Sequence, residues 1–240
     1  MFHRQNIFNS KSIYRLVVKR FTDEAKFDQD RYWQHVKFNN QPTAYGNCVV
    51  KILSNANSII KAQKLVFNMF QELNWKWQAH NPTGFQYNMS NDGQRYITDR
   101  FENNSIWCGA FVGGQLMACA RLVYRKKNIS LDVEGYNLSS AEKSLIARRN
   151  TVEVQRAMVT KPHRGKGVIK FIHAVFATHA INVQSNIVIA AEDPPFMSHG
   201  IGKILNNSFD YGDGHKIKLA YYSENDLLRI IALAKGTISI

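Results

Sequence analysis

The sequence predicts one mixed α/β domain organised around a mostly antiparallel sheet, and three observations support this fold class. The chain has 240 residues, enough for one large domain with a substantial core. Apolar residues make up 45% and charged residues 20%, which is ordinary for a globular protein and excludes disordered and collagen-like chains. Segments with strand-like and helix-like apolar spacing alternate along the chain, and two apolar runs flank a Gly-Gly pair.

The N-terminal part predicts an appended arm, then a strand and a helix. Residues 1–46 are polar and basic with a few aromatic side chains, and we interpret them as an arm or appended helix lying on a main domain of residues 47–240. Residues 48–53 predict a strand. Asn55 or Asn57 is a suitable N-cap for a helix whose apolar side chains recur at helical spacing.

The middle and end of the chain predict a β-hairpin followed by alternating elements. The hairpin strands are residues 106–112 and 115–124, joined by the turn Gly113-Gly114. The later elements are a short helix at 141–149, a strand at 151–159, a helix from Val168, a strand at 186–193, a helix near 197–207, a strand at 216–222, a helix near 225–234 and a strand at 237–240. This order makes the class mixed α/β.

The charge of the chain predicts an acidic partner. Lys and Arg total 31 against 18 Asp and Glu, a formal net charge of +13. Nucleic acid, an anionic membrane surface, a phosphate-rich cofactor and an acidic carrier protein all suit a positive surface. Charge alone does not choose among them.

Compartment and metal binding are predicted from patterns that the sequence lacks. No apolar run approaches the roughly 20 residues of a membrane-spanning helix, and residues 1–10 have no signal-peptide core. We therefore expect a cytoplasmic protein without a membrane span. Cys48, Cys108 and Cys119 have no CxxC spacing, so we expect buried thiols and neither a disulfide framework nor a metal site.

The clearest chemical signal is the turn between the strand at 151–159 and the helix that starts at Val168. The first N–H groups of a helix lack intrahelical partners and carry partial positive charge, so they bind anions, and glycines let a ligand approach the backbone. The glycines and basic residues of this segment are Gly165, Gly167, Lys161, Arg164, Lys166 and Lys170. It matches neither the Walker loop GxxxxGK(S/T) nor the dinucleotide motif GxGxxG, which disfavours ATP hydrolysis and NAD binding.

This turn resembles the acyl-CoA pyrophosphate loop of the GCN5-related N-acetyltransferase superfamily, whose pattern is (R/Q)xxGx(G/A). The matching segment is Arg164-Gly165-Lys166-Gly167-Val168-Ile169. Its last residue departs from the pattern, which has Gly or Ala there. The order of elements over residues 48–222 is also similar to that superfamily.

The resemblance implies how a donor would bind. In that superfamily two central parallel strands splay apart and an acyl thioester enters the gap, and here these strands would be residues 152–159 and 187–191. Backbone groups near Met158 and Val159 would pair with the pantetheine arm. The resemblance implies no tightly bound cofactor, with an acyl-CoA or acyl-carrier-protein thioester as co-substrate.

Four further motifs occur in order along the chain: Lys64-Leu65-Val66-Phe67 with Leu73 and Trp75, Asp99-Arg100-Phe101-Glu102, Ala120-Arg121-Leu122, and Glu153-Val154-Gln155-Arg156. They resemble motifs of the acyl-homoserine-lactone synthases and N-acyl amino acid synthases, which share that fold and use long acyl chains carried on acyl carrier protein. They follow the order of the family patterns and depart from them at Lys64, Glu102 and Gln155. The resemblance spans roughly residues 51–164.

Glu153 is the candidate general base, because an amine that attacks a thioester must lose a proton and a nearby carboxylate accepts it. The resemblance implies Arg121 and Arg156 as further catalytic residues. It implies that Asp99 and Glu102 bind the acceptor. Trp75 and Phe101 belong to an aromatic-rich stretch and are candidates to line the acyl or acceptor pocket. Arg121 with Glu102 or Glu153 is alternatively a buried structural ion pair. Strand alternation predicts that Glu153 and Gln155 share one face and Arg156 the other.

The sequence thus predicts an N-acyltransferase that uses a CoA or acyl-carrier-protein thioester and the amine of a small molecule, an amino acid or a derivative. Acidic acyl carrier protein suits the net charge of +13 as a partner. A short-chain acetyltransferase acting on a small-molecule or protein amine is the first alternative. A non-catalytic basic module that binds nucleic acid is the second, although no RNP, KH or zinc-finger signature supports it.

Overall fold

The computed structural model describes residues 38–43, 46–73, 84–125, 129–136, 138–147, 151–205, 209–210 and 216–235. The predictions for residues 1–37, for Trp75 and for a final strand at 237–240 lie outside the described residues. The division of the chain at residue 46 therefore stays a prediction. Within the described part, no helix combines the length and the apolar character that crossing a bilayer requires.

Nine strands of the described chain form one sheet. They are β1 Phe38–Thr43, β2 Gly46–Ile52, β5 Ser105–Val112, β6 Gln115–Tyr124, β7 Thr151–Val159, β8 Asn186–Ala191, β9 Lys203–Ile204, β10 Phe209–Asp210 and β11 Lys216–Tyr222. A separate hairpin consists of β3 Gln86–Met89 and β4 Arg95–Thr98. The spatial order is β1-β2-β5-β6-β7-β8-β11-β10, and β9 also pairs with β11. Part of the segment interpreted as an arm is thus an edge strand of the sheet.

Four α-helices of the described chain cover the sheet: α1 Ala56–Glu72, α2 Ser140–Ile146, α3 Val168–Asn182 and α4 Glu224–Ala234. On one face, α3 and α4 share a core with inward side chains of the strands, such as Phe176 against Leu122. On the other face, Phe70 of α1 belongs to a cluster with Trp107. Ile146 of α2 lies with further sheet residues on that face.

Local signals explain where the helices start. The side-chain oxygen of Asn55 accepts a hydrogen bond of 2.8 Å from the backbone N–H of Ser58, which caps α1 as predicted. Ser139 and Glu142 form a capping box at the start of α2. These contacts satisfy N–H groups that a helix leaves unpaired.

The parallel pair β7–β8 splays apart along its length. The pairing runs from Thr151 with Asn186 to Val154 with Ile189, after which β7 continues to Val159 without its partner. All other strand pairs described here are antiparallel. The predicted class, a mixed and mostly antiparallel sheet with two splayed central parallel strands and flanking helices, is confirmed.

A β-bulge in β7 corrects one sequence prediction. The register with β6 shifts between Cys119 with Met158 and Arg121 with Gln155, so two residues of β7 stand opposite one of β6. Arg156 lies in this bulge with a φ of 55°, in the left-handed region. Alternation is interrupted there, and Arg156 reaches the face that carries Gln155 instead of the opposite face.

The helix predicted near residues 197–207 is wrong. A short 3-10 helix, Met197–His199, is followed by strand β9. Gly200 and Gly202 have φ values of 60° and 91°. Left-handed conformations end a right-handed helix. The apolar residues of this segment therefore lie in a turn and a strand, although their spacing resembles that of a helix.

The three cysteines are buried free thiols, as predicted. Burial raises the pKa of each of them. Cys108 packs in the core beneath α3, whereas the thiol of Cys119 contacts the carbonyl of Ala62 in α1. They therefore lie on opposite faces of the sheet, and no thiol among the described residues is suited to nucleophilic chemistry.

Candidate active site

The turn after β7 is built as a backbone cradle. A 3-10 helix, Lys161–His163, leads to Gly165 and Gly167, whose φ values of 71° and 74° favour glycine. Gly167 is the residue before α3. The first N–H groups of α3 have no intrahelical acceptors, so this turn suits an anion chemically.

Arg164 points away from this cradle, toward α1. Its Nε donates to the carbonyl oxygen of Val159 at 3.2 Å, and its guanidinium lies 3.4 Å from the carboxylate of Glu72. The same group contacts the sulfur of Met69. The Arg164 guanidinium, which was predicted to add positive charge at the anion site, thus contacts α1. Lys161 and Lys166 remain exposed.

Arg121 lies at the centre of a buried polar network on the α1 face. Its Nε and Nη2 donate to Oε1 of Gln155 at 3.1 and 2.6 Å, and Nη1 donates to Oδ1 of Asp99 at 2.8 Å and Oε1 of Glu102 at 3.1 Å. Nη2 also donates to the second oxygen of Asp99. Only 1% of the Arg121 side chain is exposed, and its N–H groups are all occupied. Of the two buried ion pairs considered for Arg121, with Glu102 or with Glu153, the structure therefore contains the one with Glu102.

The two acids around Arg121 have opposite pKa shifts. Burial raises the pKa of Asp99, but hydrogen bonds and charge from Arg121 and the charge of Arg156 outweigh it, and the pKa of Asp99 is lowered. Glu102 accepts from Gln63 at 2.9 Å and from Trp107 at 3.2 Å. Burial nevertheless raises the pKa of Glu102. Asp99 is therefore the permanent counter-charge of the network.

Phe101, predicted to contact the acceptor, is fully buried. The guanidinium carbons of Arg100 and Arg121 lie 4.7 and 5.5 Å from the centre of its ring. The ring therefore supports the network from beneath.

Glu153 is enclosed beneath the 3-10 helix Asp132–Gly135 and is 2% exposed. Its Oε2 accepts from the backbone N–H of Asp132 at 2.8 Å and of Val133 at 3.4 Å. Burial and the charge of Asp132 raise the pKa of Glu153 to about 8. This carboxyl group therefore holds its proton more strongly than a free glutamate and is largely protonated at neutral pH.

Sequence reasoning missed Asp132. It lies in the basic connection between the hairpin and β7, where no motif singled it out. The structure brings it beside Glu153, with its side chain 9% exposed and 3.7 Å from the guanidinium of Arg100. Burial raises the pKa of Asp132. The pairing is long-range, so no local spacing reveals it.

Tyr221 and Tyr222, at the end of β11, are buried and so are poorly placed to protonate a leaving thiolate. Tyr222 donates to the carbonyl of Pro195, and burial raises its pKa. Tyr221 is 9% exposed. Tyr211, the tyrosine just before β11 in the sequence, lies outside the described residues.

The predicted site residues thus fall into two groups along β7. Arg121, Arg156, Asp99 and Glu102 form one network, with Glu153 below it. The second group is the end of β7 and the turn after it, namely Met158, Val159, Arg164, Gly165, Lys166, Gly167, Val168 and Ile169. The gap beside β8 runs between the two groups.

No protein-family profile matches the chain, and no curated protein sequence matches it. Solved structures do resemble it. FeeM, an N-acyl amino acid synthase from uncultured soil microbes, superposes with a TM-score of 0.55 at 12% identity, covering 79% of this chain and 98% of FeeM. The AHL synthase LasI gives 0.53 at 10% identity, covering 81% and 97% of the two chains. The chain therefore shares the fold of these two synthases, as the sequence resemblance implied.

A third structure with this fold is the CoA-dependent acyl-homoserine lactone synthase BjaI, with a TM-score of 0.52 at 12% identity over 75% of this chain and 83% of BjaI. The similarity to N-acyl amino acid and acyl-homoserine lactone synthases predicted from the motifs is therefore confirmed at the level of the fold. At such low identities, substrates and residue roles do not transfer with the fold.

Proposed function

We propose that the protein is an N-acyltransferase that moves an acyl group from a CoA or acyl-carrier-protein thioester to the amine of a small molecule, an amino acid or a derivative. One observation carries this proposal. The strands β7 and β8 separate beyond Val154 and Ile189, with a glycine turn and a helix start at the open end of the gap. A buried network of carboxylates and guanidinium groups lies beside its closed end.

The donor half of the reaction uses the end of β7 and the turn that follows. Beyond Val154, β7 remains paired with β6 but has no β8 partner, so polar backbone groups near Met158 and Val159 are suited to bind the pantetheine arm. The turn from Arg164 to Ile169 would hold the pyrophosphate through backbone N–H groups, with Lys161 and Lys166 adding positive charge. A carrier-borne phosphopantetheine would use the same gap.

The acyl group would be transferred by direct attack of the amine on the thioester carbon. The C–N bond forms, the C–S bond breaks and the nitrogen gives up a proton, for which Glu153 is the proposed final acceptor. Because the pKa of Glu153 is raised to about 8, its basic form grows as the pH rises toward that value. The rate should therefore increase from neutral to mildly alkaline pH.

The acceptor half would lie beside the Arg121 network. The hydrogen-bonding groups of Arg121 and Asp99 are occupied by each other and by their neighbours. We therefore assign these two residues, together with Glu102, the role of shaping the acceptor site. Arg156, whose side chain is 14% exposed, is the guanidinium nearer to a substrate. Trp75, which lies outside the described residues, is proposed as a further acceptor contact. Since the donor is a phosphopantetheine thioester, we expect the protein to act in the cytoplasm.

The first experiment measures thermal stabilisation by acetyl-CoA, decanoyl-CoA and acyl carrier protein, each tested separately. A ligand at about 100 times its Kd stabilises by about 2.7 kcal/mol. Gly167→Trp should abolish the shift because it fills the cradle. Gly93→Trp is the matched control, since Gly93 also has a positive φ, 75°, in an open turn away from the cradle.

The thermal shifts produced by the different donors distinguish the proposed function from its alternatives. A larger shift with decanoyl-CoA or the carrier supports the synthase-like reaction, and a shift with acetyl-CoA alone supports a short-chain acetyltransferase. Mass spectrometry of reactions with a panel of amino acids then identifies the N-acyl product. Absence of a shift with every donor, together with salt-sensitive RNA binding, would contradict the proposal and favour a nucleic-acid module.

A further inference from the structure

Asp132 and Glu153 are a pair of neighbouring buried acids, one on the 3-10 helix Asp132–Gly135 and one on strand β7. The backbone N–H of Asp132 donates to Glu153 at 2.8 Å, which holds the two residues together. Both residues are buried, with 8% of Asp132 and 2% of Glu153 exposed. The pair lies beside the Arg121 network, and the guanidinium within ion-pair distance of Asp132 is that of Arg100, at 3.7 Å.

Glu153 is poorly placed to meet an amine directly. Two backbone N–H groups, of Asp132 and Val133, cover its Oε2. Its strand neighbours in the sheet are Val123 and Val188, which are both fully buried. A general base must come within hydrogen-bond reach of the proton it takes, directly or through another group. A proton that arrives at Glu153 therefore needs a carrier.

The carboxylate of Asp132 has the capacity to be that carrier. Asp99 accepts four hydrogen bonds and Glu102 accepts three, which leaves both with little room for a substrate. Among the described residues, the charged partner of the Asp132 carboxylate is Arg100, at 3.7 Å and 47% exposed. That distance is longer than a hydrogen bond, so the carboxylate keeps acceptor positions for an ammonium or amine.

We propose that Asp132 is a catalytic residue that contacts the acceptor nitrogen, takes its proton and passes it to Glu153. This inference rests on the proposed N-acyltransferase activity. As the C–N bond forms and the C–S bond breaks, one proton moves from nitrogen to the Asp132 carboxylate and then to the Glu153 carboxylate. The leaving thiolate takes a proton from water, and Glu153 later releases its own to solvent.

The charges around the pair give this step a distinct pH dependence. The charged groups that face Asp132 from neighbouring elements are Asp99 and Arg100 from the segment after β4, Arg121 from β6 and Arg156 from β7. Burial first, and then the charge of Asp132, raise the pKa of Glu153. Removing the charge of Asp132 should therefore lower the pKa of Glu153 and move the acid limb of the rate profile to lower pH.

The test compares pH–rate profiles of the wild type with Asp132→Asn, Asp132→Glu and Glu134→Gln. Glu134 lies on the same 3-10 helix and pairs with Arg125, so its variant is a matched control for loss of one carboxylate. The assay uses the donor and amino acid for which the wild type yields an N-acyl product by mass spectrometry. The substrate's own ionisation cancels in the comparison because all variants use the same substrate.

We expect Asp132→Asn to lower kcat by about 100-fold or more, as loss of a positioned proton acceptor does, and to shift the acid limb to lower pH. The KM for the donor should not change. Asp132→Glu should restore part of kcat, and Glu134→Gln should behave as the wild type. Thermal unfolding of each variant shows whether a loss of kcat reflects unfolding.

Two results would overturn the inference. The first is wild-type kcat and an unmoved acid limb in Asp132→Asn, and the second is an equal loss in Asp132→Asn and Glu134→Gln. An active wild type with an inactive Glu153→Gln variant would keep the proposed function in either case. A wild type that yields no product with any donor and amine overturns the proposed function and this inference together.

Discussion

Arg156 donates a hydrogen bond of 3.0 Å to Oδ2 of Asp99, which also receives Arg121. The bulge in β7 makes this contact possible, because it carries Arg156 across to the face that holds Gln155. The guanidinium of Arg156 lies 4.1 Å from the ring centre of Phe85. Its φ of 55° is a strained conformation for arginine, and strain of this kind costs about 1–3 kcal/mol. Two guanidinium groups thus share one buried carboxylate.

Asp99→Asn should strongly destabilise the protein. The substitution leaves the guanidinium groups of Arg121 and Arg156 without their shared counter-charge, and breaking a buried ion pair costs about 3–5 kcal/mol. Urea unfolding at neutral pH measures the change. Asp92→Asn is the control, because Asp92 forms an exposed pair with Lys64 and should change stability little. Equal losses of unfolding free energy in the two variants would contradict the expectation that Asp99 neutralises two buried guanidinium groups.

Glu153→Gln should change how stability depends on pH. The pKa of Glu153 is raised from 4.5 to about 8, so the native state holds a proton that the unfolded chain releases above its ordinary pKa. Its contribution to stability is fully present below pH 4.5 and is lost as the pH rises to about 8. The amide variant does not titrate, so it should gain stability relative to the wild type across this interval.

Unfolding by urea at several pH values checks this expectation. The difference between wild type and variant removes the contributions of other titrating groups, including His173 and His179, whose pKa values are lowered by burial to about 4 and about 3. A difference that stays constant from pH 5 to pH 8 would show that Glu153 is ionised throughout this range.

Glu72→Gln should tighten donor binding. Arg164 lies against Glu72 and donates to the carbonyl of Val159, a group proposed to face the pantetheine arm. Loss of the Glu72 charge releases Arg164 toward the pyrophosphate and removes a negative charge near it. Because a partly exposed pair is worth up to about 1 kcal/mol, the Kd for acyl-CoA should fall by up to about fivefold.

Isothermal titration with acetyl-CoA or decanoyl-CoA measures this affinity. Glu224→Gln is a suitable control, since Glu224 is an exposed acid at the start of α4. Weaker donor binding in Glu72→Gln would mean that the Glu72–Arg164 contact supports the cradle and does not compete with the donor.

Local sequence was sufficient for much of the fold. The Gly113-Gly114 turn, the Asn55 cap and the apolar spacing of α3 act over a few residues, and each predicted its element correctly. The turn after β7 was predicted on the same basis, because the conformations of Gly165 and Gly167 and the start of α3 are properties of adjacent residues. Burial of the cysteines followed from composition and the absence of a ligand spacing.

Tertiary structure decided the chemistry of the site. The bulge that turns Arg156 depends on the register between β6 and β7, and the approach of Asp132 to Glu153 joins segments about twenty residues apart. Arg164 contacts Met69 of α1, which lies 95 positions earlier in the sequence. Strand alternation and turn motifs carry no information about such distances. Residue types and local elements were therefore determined by the sequence alone, whereas protonation states and partners were decided by burial and long-range pairing.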